Sequence, residues 1–327
     1  DRGEVNAIAS AGNYLYLIRA NAGKEFWRFS KGSGQWAPLT DLYADFAGNT
    51  TIIYPGSGTD IYYAGSRFTF YKYSTVTGTS QALAKLPAFG RGAAFLYNVS
   101  ANTITLIPGE NKTNAFIYSV SKNAWSMPAD IGWTSYGGGM LALNDNETVF
   151  YREGAASTGY ASAAIYRYSL STKTLTSLPS MPSTLGAGAR MTSDGKNNLF
   201  MTRGDGYADF WKCSVANNQT QALNSTNGSF SAGHSVCYKN NFVYAIKGGN
   251  STALWRYRVN TDTWENLTQM YPTAALPAGV SYGARLVAGS SNDPYIYCIR
   301  GANGPGIFRY NTNTSGAGMN TWENLTQ

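Results

Sequence analysis

The sequence predicts an all-β fold, a single seven-bladed β-propeller of four-stranded antiparallel blades, and three observations carry that expectation. The first is composition: 14% aromatic residues, only 13% charged residues and 36 glycines favour many short strands and tight turns over helices. The second is self-similarity. Aromatic runs recur as FWRF, FYKY, FIYS, IYRY, FWKC, LWRY and IFRY. Their aligned column Phe29, Tyr73, Tyr118, Tyr168, Cys213, Tyr257, Tyr310 steps by 44, 45, 50, 45, 44 and 53 residues. That period suits four short strands and their turns, the content of one blade. The third is that every repeat divides in the same way.

Each repeat opens with an inner strand A led by glycine (Gly3, Gly48, Gly92, Gly138, Gly188, Gly233, Gly283). Glycine there lets neighbouring inner backbones approach closely. Strand B is an apolar run such as NLFMTRG or FVYAIKG, whose last glycine permits the positive φ of a tight turn. Strand C is the aromatic run. Strand D carries Trp36, Trp125 and Trp264 seven residues after the strand C aromatic, and Trp322 after an insertion at 315–319. The blades are expected near 2–43, 47–88, 91–131, 136–182, 186–226, 231–271 and 281–327, forming one domain over 1–327. With no strand left over, no strand-swapped closure is expected.

The stretch Gly248–Gly249, an aromatic strand, Tyr257 and then Trp264 resembles the kelch repeat. The resemblance covers essentially the whole chain, although most other copies keep one glycine of the pair. It implies a kelch-type propeller, a scaffold that serves varied functions. Kelch-type galactose oxidases need two histidines and a tyrosine–cysteine cofactor at copper. His234 is the only histidine here, which excludes that metal set. Sialidase-like Asp boxes are absent, apart from a faint and out-of-frame Ser193-Asp194-Gly195. No cofactor, metal or enzymatic activity is expected. Glu4 and Glu153 are the two carboxylates an axial hydrolase or lyase would use, and they lack a motif.

The formal charge of +7 invites a polyanion reading. Much of it sits in a strand C column, Arg28, Lys72, Arg167, Lys212, Arg256 and Arg309. That column is expected to pack its stems on aromatic neighbours and pair its heads near the rim. Nucleic acid is therefore not an expected partner. A second set lies where strand B ends and strand A begins: Arg19, Arg203, Lys247 and Arg300, with Arg2, Arg91, His234 and Tyr282. Converging cations on an aromatic-lined face suit a carboxylate, a sulfate or an acidic sugar. The alternative is that these side chains satisfy loop carbonyls.

The cysteines Cys213, Cys237 and Cys298 are odd in number and widely spaced, and read as buried small hydrophobes. There are 11 Asn-x-Ser/Thr sequons, at Asn49, Asn98, Asn111, Asn146, Asn218, Asn224, Asn227, Asn250, Asn266, Asn313 and Asn324. No apolar span of membrane length and no signal peptide are seen, so the chain reads as a mature or trimmed extracellular or cell-surface protein. The function expected is a binding or recognition module, lectin-like or protein-binding, that takes an anionic glycan or acidic protein segment on the D–A/B–C loop face. One alternative is a structural coat, sheath or appendage subunit that self-assembles. A polysaccharide-active hydrolase or lyase comes third.

Overall fold

The structure is a computed structural model that describes residues 7–18, 24–43, 51–56, 58–65, 68–88, 94–98, 101–107, 114–130, 137–142, 147–153, 162–169, 171–172, 174–186, 188–281, 283–289, 292–301, 306–313, 315–316 and 318–325. It is an all-β protein of the propeller class, and its blades are four-stranded and antiparallel. The chain forms two compact units, residues 1–150 with 167–176, and residues 151–166 with 177–327. Blades are numbered below by their repeat.

In the first unit, blade 1 consists of β1 (Ala7–Ala11), β2 (Tyr14–Ile18), β3 (Phe26–Ser30) and β4 (Trp36–Pro38). Blade 2 consists of β5 (Thr51–Ile53), β6 (Asp60–Gly65), β7 (Thr69–Ser74) and β8 (Ser80–Ala82). Blade 3 consists of β9 (Ala94–Asn98), β10 (Thr103–Ile107), β11 (Asn114–Ser119) and β12 (Ala124–Asp130). The next four strands, β13 (Gly137–Ala142), β14 (Glu147–Glu153), β15 (Ile165–Ser169) and β16 (Thr174–Ser177), form a sheet in that order, and its residues belong to both units.

In the second unit, blade 5 consists of β17 (Arg190–Ser193), β18 (Asn198–Thr202), β19 (Phe210–Ser214) and β20 (Gln219–Leu223). Blade 6 consists of β21 (Ser235–Lys239), β22 (Phe242–Ile246), β23 (Leu254–Arg258) and β24 (Thr263–Asn266). Blade 7 consists of β25 (Arg285–Ala288), β26 (Tyr295–Ile299), β27 (Ile307–Asn311) and β28 (Trp322–Asn324). Six blades are thus fixed strand by strand with residue-level register, where the sequence suggests seven. Each described sheet uses four consecutive strands and borrows none from elsewhere in the chain.

Burial follows strand position. The second strand of a blade is apolar and covered on both faces, as in β6, β22 and β26, whereas the fourth, as in β8 and β28, is largely exposed. First strands of successive blades lie side by side: β1, β5 and β9 in one unit, β17, β21 and β25 in the other. The outward edge of a first strand has unpaired donors. Hydroxyls from the preceding blade serve two of them: Thr192 Oγ1 accepts from Tyr238 N–H at 2.9 Å, and Ser235 Oγ accepts from Leu286 N–H at 3.0 Å.

The tyrosine–tryptophan spacing has a geometric cause. In the strand C to strand D turn a residue takes a left-handed φ, namely Asn123 (46°), Asp262 (51°) and Asn320 (53°). Each accepts the phenol of the strand C tyrosine, Tyr118, Tyr257 or Tyr310, at 2.8–2.9 Å. Asn123 Oδ1 also accepts from Ala84 N–H, and Asp262 Oδ1 from Asn224 N–H, both at 2.9 Å and both across to the preceding blade. The indole Nε1 of Trp125 then donates to Ala84 O, that of Trp264 to Asn224 O and that of Trp322 to Ala274 O. Ala84 and Asn224 are thereby each held by N–H and C=O together, which satisfies backbone groups that leave the ladder there.

The glycines that open the inner strands are not all sites of close approach. Gly188 and Gly233 open inner strands with φ of 81° and 82°, so left-handed backbone is their shared requirement. Close approach holds at Gly233, where a Cβ would sit 1.9 Å from Ser281 O. At Gly188 the nearest atom is His234 Cε1 at 3.8 Å. A second difference lies at 263–270, where strand D runs into one helical turn, α1 (Leu267–Met270), capped by Asn266 Oδ1 accepting from Gln269 N–H. The three cysteines are free and buried, as the sequence suggests, and burial pushes the Cys213 thiol up to about 11.

Candidate functional site

Four of the strand C cations behave as structural groups. Arg28 lies over Tyr14, Arg256 over Phe242 and Arg309 over Tyr295, at 4.4–4.8 Å from the ring centres. Each of those rings is the first residue of its blade's second strand. Arg256 and Arg309 also pair with the cross-strand carboxylates Glu265 and Glu323 at 2.8 and 2.7 Å, and Lys72 pairs with Asp60 at 3.2 Å. Arg256 and Arg258 together hold the Glu265 carboxyl below its usual range, outweighing the opposing effect of burial.

The second basic set splits on inspection. Arg2, Arg19, Arg91 and Tyr282 lie outside the described residues. Lys247 is buried, and its ammonium donates to Thr226 Oγ1 (3.1 Å) and to the carbonyls of Asn227 (3.3 Å) and Gly228. It also lies near Phe230 and Trp255, and desolvation lowers its pKa to about 8. Lys247 therefore ties down the connection from blade 5. Arg300 Nε donates to Gly279 O at 2.9 Å, and Arg203 pairs with Asp209 at 3.3 Å while stacking 3.7 Å from the exposed Tyr207 ring. Each of these three cations has a partner within the chain, loop carbonyls for Lys247 and Arg300 and a carboxylate for Arg203.

His234 is also engaged internally. It is only 2% exposed, packs on Phe230, and bonds Ser231 O through Nδ1 (3.1 Å) and Thr202 Oγ1 through Nε2 (2.9 Å). A carbonyl can only accept, so Nδ1 carries the proton and Nε2 accepts from the threonine. Burial, then the charge of Arg190, push its pKa down to about 4, so the ring is neutral near pH 7.

Arg285 and Lys247 also disfavour a charge on that ring, each less than Arg190. Arg190 and Arg285 open the first strands of blades 5 and 7, and Ser235 occupies the same place in the blade between them. Each guanidinium folds back onto the preceding carbonyl, Arg190 to Ala189 O at 2.9 Å and Arg285 to Ala284 O at 3.0 Å. Cross-strand register then puts Arg203 and Arg300 at the same end of those blades, because Arg190 pairs with Thr202 and Arg285 with Ile299. Arg190 Nε is buried and donates to no group among the described residues. Sequence reasoning missed Arg190 and Arg285, although the recurring Gly-Ala-Arg at 188–190 and 283–285 marks them.

Among the described residues no group of histidine, cysteine and carboxylate side chains is arranged to hold a metal, and no helix is long and apolar enough to cross a membrane. Glu4 lies outside the described residues, as does the side chain of Glu153. The Ser193-Asp194-Gly195 turn is structural: Asp194 accepts the N–H groups of Lys196, Asn197 and Asn198, which outweigh burial and lower its pKa. Of the sequons, Asn218, Asn224, Asn227, Asn250, Asn313 and Asn324 are exposed and Asn266 is half-buried at its helix cap. Asn98 is buried, with its Oδ1 accepting from Ala101 N–H, so it does not present its amide to solvent. Asn49, Asn111 and Asn146 lie outside the described residues.

The chain is similar in fold to the crystal structure of the computationally designed Ika8 protein, at 13% sequence identity over 95% of this chain and 84% of that one, with a TM-score of 0.59. That likeness supports the propeller fold alone. No family model matches the chain, and no curated protein matches it.

Proposed function

We propose that this chain is an extracellular recognition module that binds an anionic ligand, an acidic glycan or an acidic protein segment, at the end of blades 5 to 7 where Arg190 and Arg285 stand. The observation that carries this reading is the buried, unpartnered Arg190 Nε, on a guanidinium that has a counterpart on Arg285. A buried donor without a partner costs about 1–3 kcal/mol, and an acceptor supplied by a ligand removes that cost. Arg203 and Arg300 contribute field more than contacts, because their heads are already bonded. The kelch-type identity belongs to the same proposal: the glycine, tyrosine and tryptophan positions support it, and the β13–β16 sheet supplies the seventh repeat.

The test is a glycan array that includes uronic, sulfated and sialylated sugars, read at low and raised salt. Salt-sensitive binding to one acidic class, weakened about tenfold by Arg190→Ala with Arg285→Ala, is the expected result. A blank array, or binding indifferent to those substitutions, overturns the assignment and moves the weight to a scaffold that binds through its blade edges.

A further inference from the structure

Blades 2 and 3 leave a cavity of about 160 Å³ between them, lined by Tyr62, Lys72, Gln81, Leu83, Val120 and Asn123 among others. The strand C cation beside it is paired differently from those of blades 6 and 7. In blade 6 the strand C cation faces a carboxylate, Arg256 opposite Glu265, and in blade 7 Arg309 faces Glu323. Those pairs hold the long side chains across the outer half of the sheet. In blade 2 the same register sets Lys72 opposite Gln81. A neutral amide cannot balance the ammonium, so Lys72 turns to Asp60 at the start of β6. Tyr62, the counterpart of Tyr244, keeps a phenol that no protein group bonds among the described residues.

The lining defines a ligand class. Asp60 matches the Lys72 charge, so the cavity offers no net charge to an ion. It offers the Tyr62 hydroxyl, the Gln81 amide and Asn123 Nδ2, the Oδ1 of Asn123 being taken by Tyr118 and Ala84. Leu83 and Val120 add an apolar wall. The volume equals about five waters at roughly 30 Å³ each, far below the span of a drug-sized site. A compact ring with several hydroxyls and one apolar face matches that size and polarity. We propose that the slot between blades 2 and 3 binds a single neutral sugar ring, a second site independent of the anion reading.

The test uses the full chain and free neutral hexoses and N-acetylhexosamines as probes, read by saturation-transfer NMR. At least one sugar is expected to bind with a Kd on the order of 1 mM, little changed by about 0.5 M salt. Gln81→Glu recreates the blade 6 pairing and draws Lys72 across the slot, which weakens binding about tenfold. Tyr62→Phe copies the residue that blade 5 carries as Phe200 opposite Lys212, so it keeps the fold and lowers affinity several-fold. No saturable binding by any neutral sugar, or equal binding by both variants and the parent chain, overturns the proposal. So does binding that disappears with Arg190→Ala and Arg285→Ala, because it then belongs to the other site.

Discussion

Blades 2 and 6 are built on one plan and differ around the strand C cation, where Lys72, Gln81 and Asp60 of blade 2 stand in the places of Arg256, Glu265 and Phe242. Both close their outer turn with a left-handed Asx or glycine, and both lie beside a blade whose tryptophan or turn residue grips the preceding strand end. Blade 6 has Glu265 where blade 2 has Gln81. In blade 6 the result is a buried cation locked between a carboxylate and an aromatic ring. In blade 2 it is a lysine drawn sideways and a small polar slot. The repeat therefore secures the seams between blades with the turn residue and the indole, and leaves the strand C pair free to vary.

Removing the Glu265 carboxylate has the largest expected effect. Glu265→Gln leaves Arg256, only 5% exposed, without its counter-charge and costs about 3 kcal/mol in chemical denaturation. The sign with pH follows from the lowered Glu265 pKa. Stability from the pair is complete above the ordinary glutamate pKa of about 4.3 and is lost as pH falls through the lowered folded value. Glu265→Gln removes that part of the acid sensitivity, so the parent and variant stability curves converge in acid. A constant gap down to the lowest pH measured would show that the pair does not carry the difference.

The clasps are expected to be alike in the two units. Asp262→Ala and Asn123→Ala each lose a tyrosine bond and a bond to the preceding blade, and each leaves a Cβ residue at left-handed φ. The expected loss is about 2–3 kcal/mol for both, and a loss at only one site would mean that the seams are not equivalent. Asp60→Asn is the mildest change. Its pair with Lys72 is partly solvated, so thermal stability should move by less than about 0.5 kcal/mol, and a larger loss would mean that the slot is held open by that pair.

The fold was legible because it rests on local signals. Tyr257, Asp262 and Trp264 lie within eight residues, and their spacing is the geometry of one turn. The site was less legible because its decisive partners are distant in sequence. The head of Lys247 meets carbonyls 19 and 20 residues earlier, and that of Arg300 meets one 21 residues earlier, so no local pattern shows that both are occupied. His234 belongs to the candidate set because it stands at the start of strand A, yet Thr202, 32 residues away, completes its bonding. Arg190 and Arg285 are hard to see in the sequence because the glycine two residues earlier is the stronger signal at the start of strand A. Lys72 and Gln81 looked unremarkable until their register set them opposite each other.

The most direct test of the central claim compares two double variants in titrations with a sulfated glycosaminoglycan oligosaccharide at low salt. One variant is Arg190→Ala with Arg285→Ala, and the other is Arg203→Ala with Arg300→Ala. The account predicts a loss of about tenfold or more for the first pair and less than about threefold for the second, because only the first has an unpartnered buried donor. Equal losses from the two pairs, or none from the first, would contradict it.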